Sequence, residues 1–189
     1  MKGFTLVEML IILGVIGLLT AFVVPSLLGS RISINLDSDA KIMAGAIREA
    51  QSRSITGEGQ NQQGQWWGIC FYTTPQSYYE LRKYDLVSLG SPPIPNPPCD
   101  PIGQGTMVSR YNMSTGISIN GFSNVVSGVT SAINSSPLSI IFSRGSGVTT
   151  VMTMSPTAVI SGDAVVVNLR SSLGGSRTVT ITSNGTVQY

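Results

Sequence analysis

One feature limits this chain more than any other. Met9–Leu28 (MLIILGVIGLLTAFVVPSLL) is a run of 20 residues with no charged side chain. Coiled as a helix it measures about 30 Å, the thickness of a bilayer's hydrocarbon core. Lys2 precedes the run and Arg31 follows it. A secretory signal peptide is one ordinary reading, but its apolar region spans about 7–15 residues. A plain membrane anchor is the other. Neither accounts for Glu8, which sits at the start of the run. A carboxylate entering hydrocarbon costs on the order of 2.5–3.5 kcal/mol on insertion scales, so it is normally found with a partner.

The neighbouring residues supply one. If the chain were cut after Gly3, Phe4 would carry a new α-amino group. Glu8 lies four residues further on, about one helical turn. Amine and carboxylate so placed can pair within a chain or between neighbouring chains.

GFTLVEMLIILGVIGLL resembles the class III signal and N-terminal helix of type IV pilins and type II secretion pseudopilins. The likeness covers residues 1–28: a short leader, Gly3 before the cut, Phe4 after it, Glu8 at the fifth mature position, and Pro25 where many pilins carry a helix-weakening proline. The resemblance implies cleavage after Gly3 by a prepilin peptidase, N-methylation of Phe4, and a helix that joins other subunits in a filament, with Glu8 guiding assembly.

After Arg31 the pattern changes. Leu36, Ala40, Met43, Ile47 and Ala50 recur at helical spacing, which predicts one buried stripe. Asp37, Lys41, Arg48, Glu49 and Arg53 fall mostly on other faces, and Gly57 and Gly59 provide stop signals. A helix from Phe4 to about Ile55 would be on the order of 78 Å long. Pro25 removes a backbone hydrogen bond, so the apolar half can kink there.

From Trp66 the period shortens to two. Strands are predicted at 68–74, 77–85, 116–119, 138–143, 164–169 and 178–182. Asn184-Gly185 marks a hairpin turn into a short strand at 187–189. Residues 90–101 hold six prolines and must form a loop. The expected fold class is α+β and pilin-like. A leader, 1–3, is cleaved. A long N-terminal helix, with a transmembrane half at 4–29 and an amphipathic half at 30–56, packs on an antiparallel β-sheet head, 57–189.

The order GQWWGICFY, ELRKY, LSIIFSRGSG and RTVTITSNGTV is most similar to the H-type minor pseudopilins and FimT-like minor pilins. A major pilin usually carries a C-terminal disulfide loop, whereas Cys70 and Cys99 are central here. In an exported protein an even pair of cysteines reads as a disulfide, worth roughly 3–4 kcal/mol by the chain-entropy model. The alternative is two reduced thiols, with Cys70 in the core. Trp66 and Trp67 are adjacent, so on a strand they face opposite sides.

Charged residues make up only 11% of the chain and the formal net charge is +2, which excludes a protein that coats nucleic acid by bulk charge. The absence of histidine excludes Ser/His/Asp and Cys/His catalysis and histidine metal sites. The acidic residues are scattered and there is no phosphate loop, so no enzyme, cofactor or metal is expected. In residues 101–189, Arg110, Arg144, Arg170 and Arg177 face only Asp163 as an acidic counterpart, a local basic surplus. Some FimT-like relatives bind DNA through basic residues near the C-terminus, which makes Arg144, Arg170 and Arg177 the candidate DNA-binding residues.

The expected function is a minor pilin or pseudopilin of a type IV pilus or type II secretion pseudopilus. It would be inserted in the inner membrane with its head outside the cytoplasm, then built into a periplasmic or extracellular filament. Its expected partners are other pilin or pseudopilin subunits, the prepilin peptidase/N-methyltransferase and the membrane. A DNA-binding minor pilin for natural transformation and a major pilin are the alternatives.

Overall fold

In the computed structural model of the protein, the described residues are 4–56, 65–73, 77–85, 99, 105–134, 137–142, 149–154, 157–160 and 162–189. Of residues 23–28, 65, 85, 149–154 and 157–160 only the backbone is described. The leader with Gly3, the stop signals Gly57 and Gly59, Arg144, and the proline-rich loop apart from Cys99 lie outside the described residues.

One helix, α1 (Leu6–Thr56), precedes eleven described strands. They are β1 (Gln65–Tyr72), β2 (Tyr78–Asp85), β3 (Thr106–Asn112), β4 (Ile117–Val126), β5 (Val129–Ile133), β6 (Leu138–Phe142), β7 (Thr149–Met154), β8 (Thr157–Ile160), β9 (Ala164–Ser171), β10 (Ser176–Thr182) and β11 (Val187–Gln188). Six form one sheet in the order β3-β2-β1-β6-β7-β8, and five form a second in the order β11-β10-β9-β4-β5. Every pairing is antiparallel.

This corrects the expected α+β, pilin-like architecture on two points. First, more of the described chain lies in strands than in helix, in two antiparallel sheets. Second, among the described residues no helix is long and apolar enough to cross a membrane, so the transmembrane half expected at 4–29 is not there as such. The apolar end of α1 with described side chains, 6–22, gives about 25 Å of helix, short of the ~20 residues a bilayer crossing takes. The backbone of α1 runs on through Pro25.

The later part of α1 makes the core. Leu36, Ala40, Met43, Ala44, Ile47 and Ala50 are buried, one stripe at helical spacing. They join one apolar cluster with Trp67, Ile69 and Phe71 of β1 and with Val167, Leu169, Val179 and Ile181 of β9 and β10. The stripe therefore serves both sheets at once. The sheets also meet directly, where the Phe71 ring stands 6.0 Å from that of Phe122 on β4. Polar groups at the edge of the stripe fix its position. Asp39 accepts hydrogen bonds from the Ser114 amide and hydroxyl, both at 2.9 Å. The Ser54 hydroxyl donates to the Phe142 carbonyl at 3.0 Å.

Strand β1 is buried on both faces. Trp67, Ile69 and Phe71 face the helix, while Cys70 lies on the opposite side with Trp66 half-buried there. Gly68 shares that crowded strand. A Cβ placed on it would stand 2.6 Å from the Ile140 carbonyl oxygen of β6, a backbone atom that cannot swing away. Gly68→Ala should accordingly push β1 from β6 and destabilise the head by about 1–3 kcal/mol. Thermal unfolding of the purified protein checks this. A midpoint equal to the parent's would mean that the sheet absorbs the methyl group.

Candidate functional site

Two constellations bear on function, one at each end of α1. At the N-terminus, Thr5 caps the helix. The Glu8 amide donates to the Thr5 hydroxyl oxygen at 3.3 Å, and the Thr5 amide and hydroxyl each donate to the Glu8 carboxylate at 3.4 Å. This is a reciprocal capping box, satisfying two helix-end donors that would otherwise face no acceptor. The carboxylate also lies in the first turn, where the helix dipole favours negative charge. The signal was present in the sequence as Thr5-Leu6-Val7-Glu8, a threonine followed three residues later by glutamate. Reading Glu8 only as the partner of a terminal amine missed it.

Around the cap nothing is covered. Every side chain from Phe4 to Phe22 is exposed, Phe4 at 74% and Phe22 at 74%. Gly14 and Gly17 have open space where a Cβ would stand. Such glycines let another helix backbone come close.

The second constellation lies on the face of the six-stranded sheet turned away from α1. Cys70 of β1 and Cys99 are joined in a disulfide, with their Cα atoms 5.7 Å apart. The Tyr84 hydroxyl lies 3.3 Å from Cys70 Sγ, and it is the donor because the disulfide sulfur has no proton. The Tyr72 hydroxyl donates to the Cys99 carbonyl at 3.0 Å. Beside it Glu80 of β2 is buried at 1% exposure. One carboxylate oxygen takes Arg82 at 2.7 Å, and the other takes Arg110 of β3 at 2.6 Å. The Arg110 guanidinium also lies over the Tyr78 ring, 4.6 Å from its centroid. Its hydrogen bonds to the Glu80 carboxylate hold Arg110 even more firmly protonated than usual.

Sequence reasoning identified the cysteines and missed this ion cluster. Glu80-Leu81-Arg82 reads as a solvated alternating strand. Cys99 is bonded to this face, and that link cannot be seen from alternation. The cluster is structural in form: each carboxylate oxygen already has a cationic partner.

The candidate DNA-binding arginines do not converge. Arg177 belongs to the helix-facing side of β10, in phase with buried Val179 and Ile181, and its Nε lies 3.7 Å from Asp37 on α1. Arg170 is out of phase with buried Leu169 and Ser171 of β9, so it points to the other side of the sheet. Arg144 lies outside the described residues. A hairpin register was needed to see this, because Arg177 pairs with Leu169 and not with Arg170.

A shallow cavity of about 370 Å³ is lined by Thr73, Ser77 and residues 112–118. Its lining carries hydroxyl and amide groups and no charged side chain. Among the described residues no group of three His, Cys, Asp or Glu side chains could hold a metal ion. Compared with known proteins, the chain matches no protein-family model, no curated protein and no solved structure.

The second constellation makes two predictions. Glu80→Gln removes the only charge between two guanidinium groups, one of them buried, and should cost on the order of 3 kcal/mol in urea unfolding. Arg110→Met, at a half-exposed end, should cost about 1 kcal/mol or less. Equal effects would mean that burial does not set the strength of this cluster.

Burial also pushes the Tyr72 hydroxyl up to about 12, and raises Tyr79 and Tyr84 beyond it. Their ordinary value is 10.0. A folded pKa above the unfolded one contributes stability that is complete below the unfolded value and lost as pH rises toward the folded one. Melting temperature should thus hold steady to about pH 10 and fall between pH 10 and 12. Of the six tyrosines, the share of tyrosinate absorbance that belongs to these three should appear only as the fold is lost. Full absorbance from all six without unfolding would show that these hydroxyls are open to solvent.

Proposed function

We propose that this chain is a minor pilin or pseudopilin, a structural subunit of a type IV pilus or type II secretion pseudopilus. It is kept at the inner membrane with its head outside the cytoplasm, then assembled into a filament. The observation that carries this reading is the unbroken exposure of the apolar N-terminal end, Phe4 to Phe22, on a chain whose helix packs one stripe into the head from Leu36 onward. Apolar surface on that scale is not left in water, since burial is worth about 25 cal/mol per Å². Lipid or the apolar helices of other subunits must cover it. A subunit that passes from membrane to filament exchanges the first for the second.

The chemistry at the cap supports the same reading. The contacts that hold Glu8 to Thr5 are long, 3.3–3.4 Å, and involve a neutral donor. A terminal amine on Phe4 of an adjacent subunit offers a charged donor, which forms a hydrogen bond roughly twice as strong. Glu8 is thus parked on its own helix end and can be recruited during docking. Cleavage after Gly3 by a prepilin peptidase creates that amine, and the short leader and the Gly3-Phe4 junction suit such a cut.

The test separates capping from charge. Glutamine serves a capping box as glutamate does, but carries no charge. Glu8→Gln should be inserted and processed normally, with loss of Met1–Gly3 and gain of one methyl group by intact mass. Its share in sheared filaments should fall at least about tenfold, the loss expected of one charge-assisted hydrogen bond. Glu8→Leu, which removes both cap and charge, should fall as far. Parental incorporation of Glu8→Gln would show that the charge does not guide assembly. A mature chain that keeps Met1 in cells with active prepilin peptidase would reject the pilin reading itself.

A further inference from the structure

Strand β5 is the outermost strand of the five-stranded sheet. Its residues, Val129-Thr130-Ser131-Ala132-Ile133, are exposed on both faces apart from the half-buried Ile133, and Val129 reaches 70%. Natural edge strands are blunted by charge, proline, a bulge or short length. The other edges follow this rule: β11 is two residues, β8 is four, and β3 carries Arg110 and an irregular register against β2. β5 has none of these devices. Its register with β4 is regular, and residues 111–143 contain no charged side chain at all.

The turn that leads into β5 fixes which of its backbone groups are free. Ser127 and Gly128 both have positive φ, 49° and 80°, the requirement of a type I′ turn. Val126 and Val129 flank that two-residue turn and pair with each other, as the narrow hydrogen-bonded pair does in such hairpins. By alternation Val129, Ser131 and Ile133 bond inward to β4. Thr130 and Ala132 turn their N–H and C=O groups away from the sheet.

The five residues are also self-complementary. Turned end for end about Ser131, the strand sets Val129 against Ile133, Thr130 against Ala132, and Ser131 against itself. The outward groups of Thr130 then meet those of Ala132 in the second copy, and the reverse, completing four backbone hydrogen bonds. Val129, Ser131 and Ile133 share one face, so two Val–Ile contacts flank a central Ser–Ser pair.

We infer that β5 is a self-association strand, which pairs antiparallel with β5 of a second copy of this chain about a two-fold axis through Ser131. The resulting sheet is continuous across both heads. The inference stands apart from the filament reading, because it uses only the edge, the turn and the strand sequence.

Ser131 supplies the test. In the paired arrangement it forms a non-hydrogen-bonded pair with its own copy, with Cα atoms about 4.5 Å apart, within reach of a disulfide. The native Cys70 and Cys99 are already joined and do not compete. Full-length Ser131→Cys, in membranes or mild detergent under gentle oxidation, should give a reducible dimer on non-reducing gels. It should form at least about tenfold faster than the dimer of Ser172→Cys, an exposed turn position where only random encounter acts. Adding Val129→Lys, at a side chain that the single head leaves in solvent, should return the rate to that of Ser172→Cys. Equal rates for the two cysteine positions would overturn the inference. So would a Ser131→Cys dimer indifferent to Val129→Lys, or an adduct with a different protein in place of the dimer.

Discussion

Everything in the head rests on one helical stripe that serves two sheets. Leu36, Met43 and Ile47 fill the space between the inner faces, and Ala40, Ala44 and Ala50 let the strands approach the helix axis closely. Each fully buried aliphatic side chain of this size contributes about 1.5–3 kcal/mol. The stripe joins Ile69 and Phe71 on one sheet to Val167, Leu169 and Val179 on the other, with the Phe71–Phe122 contact and the hydrogen bond from the Ile119 amide to the Ser77 hydroxyl oxygen beside it. The sheets are thus two covers of one core, not a sandwich with a helix added to it. Asp39, Ser54 and Arg48, which donates to the Val187 carbonyl at 2.9 Å, fix the helix along its length and leave it little freedom to slide.

That arrangement settles how the two halves of α1 differ. The later half has its apolar partners in its own chain. Among the described side chains of the earlier half, Phe4–Phe22 have none, although they are more apolar and the backbone helix is continuous. The capping box gives the Thr5 and Glu8 amides an acceptor at the free end of the helix.

Legibility in the sequence follows from the same division. The stripe could be read directly, since 3.6-residue spacing is a local property and α1 obeys it. The strands at the core, β1, β2, β4, β6, β9 and β10, carry apolar residues and stand out. The edge and near-edge strands β3, β5, β7 and β8 do not. Their sequences, such as TMVSRYN and VTSAI, are rich in Ser and Thr, and they are strands because a neighbour pairs with them. Which strands share a sheet was hidden for the same reason, for it depends on which strand β6 and β9 choose as partners. At the candidate sites, Phe4, Glu8 and the cysteines could be picked out one residue at a time. The Glu80 cluster could not, because it needs β3 beside β2. The opposite placement of Arg170 and Arg177 likewise depends on one register between β9 and β10.

The chain's economy of charge gives the last constraint. Among the described residues, ionic groups pair internally or along the helix: Asp37 with Lys41, Glu49 with Arg53, and Glu80 with Arg82 and Arg110. Arg48 lies against the Tyr189 ring, 5.8 Å from its centroid. The region from β4 to β6 is left with no charge at all. That stretch supplies no charged side chain for steering or salt-bridge register, and the nearest described carboxylate, Asp163, is held at the turn into β5 by the Ser127 amide. What the strand itself offers is shape and backbone hydrogen bonding. A slip by one residue turns every side chain to the opposite face, so the register of β5 is set where one face is covered, at half-buried Ile133, and by the turn that precedes it. In a protein with so little charge to spend, recognition through strand pairing needs no charged side chain, and β5 is the described edge on which nothing opposes it.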